Sequence, residues 1–395
     1  MYSRAMTRRL KVLQLHSSYS SAEISGENSS VQNISKLLSE DFSVDTIIKS
    51  TSMLKNSRIS YLFHGFKFIL IDFKLIRKAL NYDVILVHNV NPFISSLSLR
   101  IIALVFHKRI VLYWHNSRRF CINGLNFRNG KDCHLCNKKN KYLLGIFFRC
   151  YRGSLLESIA VTISESQMRK LSKMNSVTNI VFSSFYQQKL LNFGIQPSRI
   201  KLVPHSIKFS QPNVKKKGNE LDFIAIGRLD REKGFEELLV AWSQIGKDER
   251  RGKRLHIVGS GPMEMELRKQ FSSSDVIFWG KQDFDTIIEI AKSCSTGIVT
   301  SQCAESFCKV VIELYSIGVP VLGTPVGALP ELISKLDANL ILRGTDISSI
   351  KLGILGRFKY PRNYGDLPQE IVSQEFTEEV WRIRMKDLIT KTWDN

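Results

Sequence analysis

The chain has 395 residues, 43% of them hydrophobic and 24% charged, and its 57 Lys and Arg outweigh 36 Asp and Glu to give a formal net charge of +21. This composition excludes a disordered or collagen-like chain, and the length is too great for a small module or one ordinary core, so two domains are expected. The charge is uneven: residues 1–210 carry 31 Lys and Arg against 10 Asp and Glu, whereas residues 211–395 carry 26 of each.

In the first half, short apolar runs predict strands at Leu10–Leu15, Val44–Ile48, Val84–His88, Ile110–Trp114, Ile159–Ile163, Ile180–Phe182 and Ile200–Val203, with helix-period segments between them. Near-continuous Val/Ile/Leu runs alternating with helices describe a parallel sheet covered on both faces. Gly26 sits in Ile24-Ser25-Gly26-Glu27-Asn28, a turn that opens a helix after the first strand. Tyr61–Leu80 mixes Phe63, Phe66, Phe68, Phe73 and Ile76 with Lys67, Lys74, Arg77 and Lys78, which suits either a core helix with a cationic face or the surface of an anionic membrane. His64, Lys67, Asp72 and Lys74 break its apolar run, so it is not expected to span a bilayer. His115 follows Trp114 at the end of a strand, where a histidine is as readily structural as functional. Cys121, Cys133, Cys136 and Cys150 include one Cys-x-x-Cys; irregular outer spacings favour packed thiols over zinc, and no metal site is expected. The odd count of seven cysteines, with no apolar signal-peptide core behind the basic start, points to a cytoplasmic setting.

Polar residues 210–219 read as a linker, giving domains at 1–209 and 220–374 with a closing helix over 375–395. The second half repeats the strand–helix alternation, with strands expected at Phe223–Ile226, Leu255–Val258, Val276–Trp279, Gly297–Val299, Val319–Leu322 and Leu340–Leu342. Each half therefore reads as a doubly wound α/β domain, and ligands of such sheets bind beyond the carboxyl ends of the strands. After the first of these strands, Gly227 allows a turn while Arg228 and Lys233 converge as a clamp for a diphosphate, the alternative being surface cations on a solvated loop. In Val258-Gly259-Ser260-Gly261-Pro262 the third glycine of a dinucleotide fingerprint is replaced by Glu264, so a tight turn accounts for Gly259 and Gly261, and a backbone approach to a ligand stays open. Glu305 and Glu313 are eight residues apart, about 12 Å along a helix, with free N–H groups expected between them. A carboxylate among Val310, Val311, Ile312 and Leu314 needs a hydrogen-bonding role unless it is half exposed. Asp283-Phe-Asp285 resembles a metal-binding D-x-D but is read as a helix cap.

The series Gly-Arg-Leu…Glu-Lys-Gly, Val-Gly-Ser-Gly-Pro, Phe-Trp-Gly and Glu-x(7)-Glu followed by Gly-Val-Pro-Val, all in register over residues 221–335, resembles glycosyltransferase family 4. That resemblance implies the GT-B fold, in which two Rossmann-like domains face each other across a cleft, and a retaining enzyme that uses a nucleotide sugar. Carried over residue by residue, it implies Arg228 and Lys233 at the diphosphate, Glu313 at the ribose, Glu305 at the donor sugar, the backbone of Phe307, Cys308 and Lys309 at phosphate, and His115 at the reaction centre. It also matches Gly26 to a loop that closes on the phosphates. Ser306 and Cys308 stand where glycines are common, and His205-Ser206 where Asn-Gly is usual.

The expected activity is transfer of a hexose from a nucleotide sugar to a glycan acceptor, read as lipid-linked, in bacterial surface polysaccharide assembly, with no metal and no nucleic acid. The basic first half is the expected contact with an anionic membrane on the inner face of the plasma membrane. A sugar-nucleotide 2-epimerase on the same architecture, or a binding protein without turnover, are the rival readings.

Overall fold

The computed structural model describes residues 8–18, 26–50, 70–138, 142–209, 222–250 and 252–391. The expected linker 210–219 and the first part of the amphipathic stretch, residues 61–69, lie outside them. The chain divides into two compact units, one of Met1–Asn126, His134–Pro204 and Trp381–Asn395, the other of Phe127–Cys133 and His205–Val380.

In the first unit, β1 (Lys11–Ser18), β2 (Ser43–Ser50), β3 (Val84–Val87) and β4 (Arg109–Tyr113) appear where the apolar runs place them. Between β4 and the next strand of this sheet comes a two-stranded hairpin that belongs to the other unit, β5 (Phe127–Arg128) and β6 (Lys131–Asp132). Its turn residues Asn129 and Gly130 have φ of 53° and 74°, the left-handed pair that a tight hairpin needs. Then β7 (Val177–Val181) and β8 (Ile200–Leu202) complete a six-stranded sheet of order β2-β1-β3-β4-β7-β8, parallel throughout. The strand expected at Ile159–Ile163 does not form. Those residues lie inside the helix Leu155–Ser172, which Ser154 caps through the Glu157 N–H, and Ser158, Val161, Glu165, Met168 and Ser172 are buried at helical spacing.

The second unit has β9 (Asp222–Ile226), β10 (Leu255–Val258), β11 (Val276–Gly280), β12 (Cys294–Val299) and β13 (Val321–Gly323) in the order β11-β10-β9-β12-β13, again parallel. The run Leu340–Leu342 is not a strand but a 3-10 turn, Ala338–Leu340, followed by a single bridge from Ile341 to Gly323. Two helices follow near the end, Leu367–Glu375 and Glu378–Lys391, rather than one over 375–395.

The chain thus has the expected class, mixed α/β with two Rossmann-like parallel sheets. In each sheet the strand order reverses once, between β1 and β3 in the first and between β9 and β12 in the second. Neighbouring loops leave such a reversal in opposite directions, which opens a crevice at the carboxyl ends of the two strands.

Candidate functional site

At the second unit's reversal, the loop 227–234 after β9 and the loop 300–308 after β12 are locked together. The Gln302 N–H donates to the Glu232 carbonyl at 2.8 Å, and the Thr300 hydroxyl donates to the Lys233 and Gly234 carbonyls at 3.1 and 2.9 Å. Gly234 has φ of 70°, and a Cβ there would stand 2.0 Å from the Thr300 carbonyl oxygen, so only glycine lets the two loops meet. A Cβ on Gly261 would stand 2.4 Å from the Leu229 carbonyl, which is a packing reason for that glycine. Gly227 has no such constraint of its own, its nearest neighbour being the Phe235 ring at 3.5 Å.

These contacts place Lys233 Nζ 3.0 Å from Glu305 Oε1, to which the Ser301 hydroxyl also donates. Burial works against the Lys233 charge, but Glu305 outweighs it and holds the ammonium above the ordinary lysine range. Glu305 is fixed from its other side: its carbonyl accepts the Ala328 N–H at 3.1 Å, and Gly327, with φ of 58°, lies so close that a Cβ would be 2.4 Å from the Glu305 nitrogen. Arg228, more exposed, is 2.6 Å from Asp230 Oδ2 and 2.9 Å from Glu232 Oε1. The structure therefore gives each of the two cations a carboxylate partner and brings Lys233 and Glu305 together.

The helix beyond Glu305 begins at Lys309 and runs to Ser316, so Glu313 is its fifth residue, one turn in rather than two. Cys308 is the cap residue, with no side-chain cap bond and no acidic residue in the first turn, which leaves the helix end electropositive. Phe307 is buried, edge-on to His205 at 5.5 Å and 6.0 Å from Phe376. Burial pushes the Cys303 thiol up to about 12, and the Cys308 thiol is raised for the same reason, so both are inert at neutral pH. Burial also raises the Glu313 carboxyl, with Lys309 acting the other way.

At the first unit's reversal, Gly26 opens the helix Gly26–Leu38, and Asn28 Oδ1 is 2.8 Å from His16 Nε2. His115 Nε2 lies 2.8 Å from His88 Nδ1. The buried Tyr113 ring stacks on His88 at 4.3 Å and on His115 at 5.6 Å, while the Phe182 ring lies against both His115, at 5.1 Å, and Tyr113, at 6.3 Å. Sequence reading singled out His115 alone; the adjacent strand brings His88 to it and His16 lies edge-on to His88 at 6.1 Å, and no spacing along the chain shows that. Glu165, also missed, is buried on the helix Leu155–Ser172 and accepts from Asn91 Nδ2 at 2.5 Å; it lines a small pocket with His88, His115, Arg118 and Arg119. Burial raises its pKa, opposed chiefly by Arg119 and Arg118.

Among the described residues, no group of three or more His, Cys, Asp or Glu could hold a metal. Cys121 and Cys136 are buried, and Cys133 and Cys150 are partly exposed. Asp283 accepts the Thr286 N–H at 2.8 Å as the cap of the helix Phe284–Ala291, the role expected for it. No helix among the described residues is long and apolar enough to cross a membrane.

Residues 220–356 match the family model described as glycosyl transferases, group 1. The chain is 28% identical over 168 residues to the N-acetyl-alpha-D-glucosaminyl L-malate synthase of Bacillus anthracis, covering 41% of this chain and 43% of that protein. It spans about half the length of the curated relatives it matches. The lipopolysaccharide outer core galactosyltransferase WaaB superposes with a TM-score of 0.64 at 14% identity, over 97% of this chain and 99% of that one. Anabaena Alr3699/HepE, solved in complex with UDP-glucose, gives 0.62 at 14% identity over 97% and 100%. The fold is that of the GT-B glycosyltransferases.

Proposed function

We propose that the chain is a retaining glycosyltransferase of family 4, moving a hexose from a nucleoside diphosphate sugar to a lipid-linked glycan acceptor during assembly of a bacterial surface polysaccharide. The observation that carries this reading is the Lys233–Glu305 pair held between the loops after β9 and β12, beside the uncapped helix end at Cys308. As the bond from the anomeric carbon to the diphosphate oxygen breaks, charge grows on the leaving group. Lys233, Arg228 and the N–H groups of Phe307, Cys308 and Lys309 stabilise that charge with no reorganisation. The acceptor hydroxyl oxygen forms the new bond to the same carbon, and its proton leaves with the diphosphate. Glu305 takes hydrogen bonds from the donor sugar and Glu313 from the ribose, while the resemblance assigns His115 to the reaction centre and Gly26 to the phosphates. Gly227 and Gly261 complete the lining through their backbone.

No metal is assigned a role, because the cations are side chains. The solved neighbours named for lipopolysaccharide synthesis and for UDP-glucose support the pathway class and the donor class. Leu70, Ile71 and Phe73 are exposed beside Lys74, Arg77 and Lys78 at the helix Phe73–Ala79, which supports docking on an anionic membrane at the inner face of the plasma membrane. The test is thermal unfolding against UDP-, GDP-, ADP- and dTDP-sugars, with and without EDTA. A bound donor at 100 times its Kd stabilises by about 2.7 kcal/mol. A selective shift that survives EDTA is expected; a shift abolished by EDTA would overturn the metal-free clamp, and none at all would overturn the donor site.

A further inference from the structure

At the β13 edge of the second unit, residues 337–343, the helix Ile347–Lys359 and residues 360–364 enclose a cavity of about 520 Å³, well within the range of small-molecule sites. It shares no lining residue with the loops after β9 and β12. One wall is apolar, made by Leu340, Ile341, Leu342 and Leu352. The polar lining is lopsided: Arg343, Arg357 and Arg362 face a single carboxylate, Asp337. That carboxylate is already engaged, since it accepts from Arg362 Nη1 at 3.0 Å, the Tyr364 hydroxyl at 2.8 Å and the Asn339 N–H at 2.9 Å.

Arg357 is half-buried, and among the described residues its hydrogen bond is made by Nε, to Thr296 Oγ1 at 3.2 Å; the guanidinium carbon is 5.8 Å from the centre of the Tyr364 ring. Burial lowers its pKa, with Tyr364 and Asp337 acting the other way. With Nε held by Thr296, the terminal nitrogens of Arg357 are left to meet an anion that enters the cavity. The helix that carries it has two glycines on the cavity lining, which helices disfavour. Gly353 has a packing reason, since a Cβ would stand 2.1 Å from Leu342 Cδ2. Gly356 has none: it is exposed on the cavity lining, and a Cβ there would meet nothing within 4 Å.

We propose that this cavity is a second ligand site, for a small organic anion: a phosphate or carboxylate carried on an apolar body. Arg357 and Arg343 take the charge, while the leucine wall and Tyr360 take the body. The site is independent of the donor reading above, and neither depends on the other.

The experiment titrates the full chain with 4-methylumbelliferyl phosphate, with 4-methylumbelliferone and inorganic phosphate as the two halves of the probe. Wild type should bind the intact probe at least tenfold more tightly than either half, and saturating UDP should leave that binding unchanged. Arg357→Met should weaken the probe at least tenfold without lowering the thermal midpoint. Gly356→Leu, a favourable helix substitution that puts a side chain across the cavity mouth, should do the same. Arg228→Ala should lose UDP and keep the probe, which separates failure of one site from failure of the other. Equal binding by Arg357→Met and Gly356→Leu, displacement by UDP, or no binding by wild type would each overturn the site.

Discussion

In the second unit, the loops leaving the sheet reversal are joined by the Lys233–Glu305 pair and by the Gln302 N–H to the Glu232 carbonyl, while Arg228 pairs with Asp230 and Glu232 inside the loop after β9. At the first unit's reversal, the groups on the strand ends are imidazoles and rings, with His88 and His115 packed against Tyr113, Phe182 against His115, and His16 edge-on to His88. The half of the chain with the large positive excess thus puts stacked rings at its strand ends and shows Lys74, Arg77 and Lys78 on its surface. The half with no net charge sets Arg228 and Lys233, each beside a carboxylate, where the loops meet. Net charge therefore marks surfaces and not sites, because a site needs placed charges of both signs while a field needs only a sum.

The comparison breaks most sharply at Glu305. Glu305→Gln keeps the shape and removes the counter-charge of Lys233, so kcat should fall about 100- to 1000-fold while UDP affinity stays within a few-fold. Full transfer activity in that variant, measured with whichever donor binds, would remove the central assignment. In the first unit the corresponding change is His115→Ala, expected to cost about 100-fold in kcat with little effect on donor affinity. His88 then tells whether the ring cluster acts as a unit. His88→Asn can still offer a polar group to His115 Nε2 and should keep the pH profile of kcat, whereas His88→Phe keeps the stacking but not the bond and should shift it.

Stability separates the two kinds of glycine. Gly234→Ala forces a Cβ to within 2.0 Å of a carbonyl at positive φ, and about 3 kcal/mol or more of lost stability is expected, with donor binding lost as the loops part. Gly252 has a similar φ of 76° but open space around it, so Gly252→Ala should cost only about 1 kcal/mol and leave binding intact. Chemical denaturation of both variants reads the difference. Equal losses would mean that the contact between the loops after β9 and β12 adds nothing to the backbone cost.

Much of this was legible in the sequence, for identifiable reasons. Buried parallel strands announce themselves as uninterrupted apolar runs, and the ends of β9 and β12 carry the motif residues. Two apolar runs misled. Ile159–Ile163 has the length of a strand, but Ser154 with Glu157 three residues on is a helix-start signature that a wider window would have caught. Leu340–Leu342 lies after β13 in a turn that makes one bridge only. The hairpin at Asn129-Gly130 was missed although the dipeptide is a strong hairpin signal, because strands of two residues leave no alternation to notice. His88 and Glu165 could not be found at all: one is joined to His115 across neighbouring strands, 27 positions away, and the other reaches the same pocket from a helix misread as a strand.

Glu313 gives the finest test, because its placement has opposite consequences for stability and for binding. Its carboxyl is raised above the ordinary value of 4.5 by burial. A carboxyl raised on folding holds its proton more tightly in the folded chain, so the stability it contributes is complete below pH 4.5 and is lost as the pH climbs through the folded pKa. Glu313→Gln never charges and escapes that loss. Its thermal midpoint should equal that of wild type near pH 4.5 and exceed it at pH 8. If the carboxylate meets the ribose, the same substitution should weaken UDP about tenfold, or about 1.4 kcal/mol. A gain in stability with unchanged UDP affinity would leave Glu313 a costly helix residue and move the ribose contact elsewhere. A gain paired with a loss means that the fold carries a charge against its own stability because the ligand uses it.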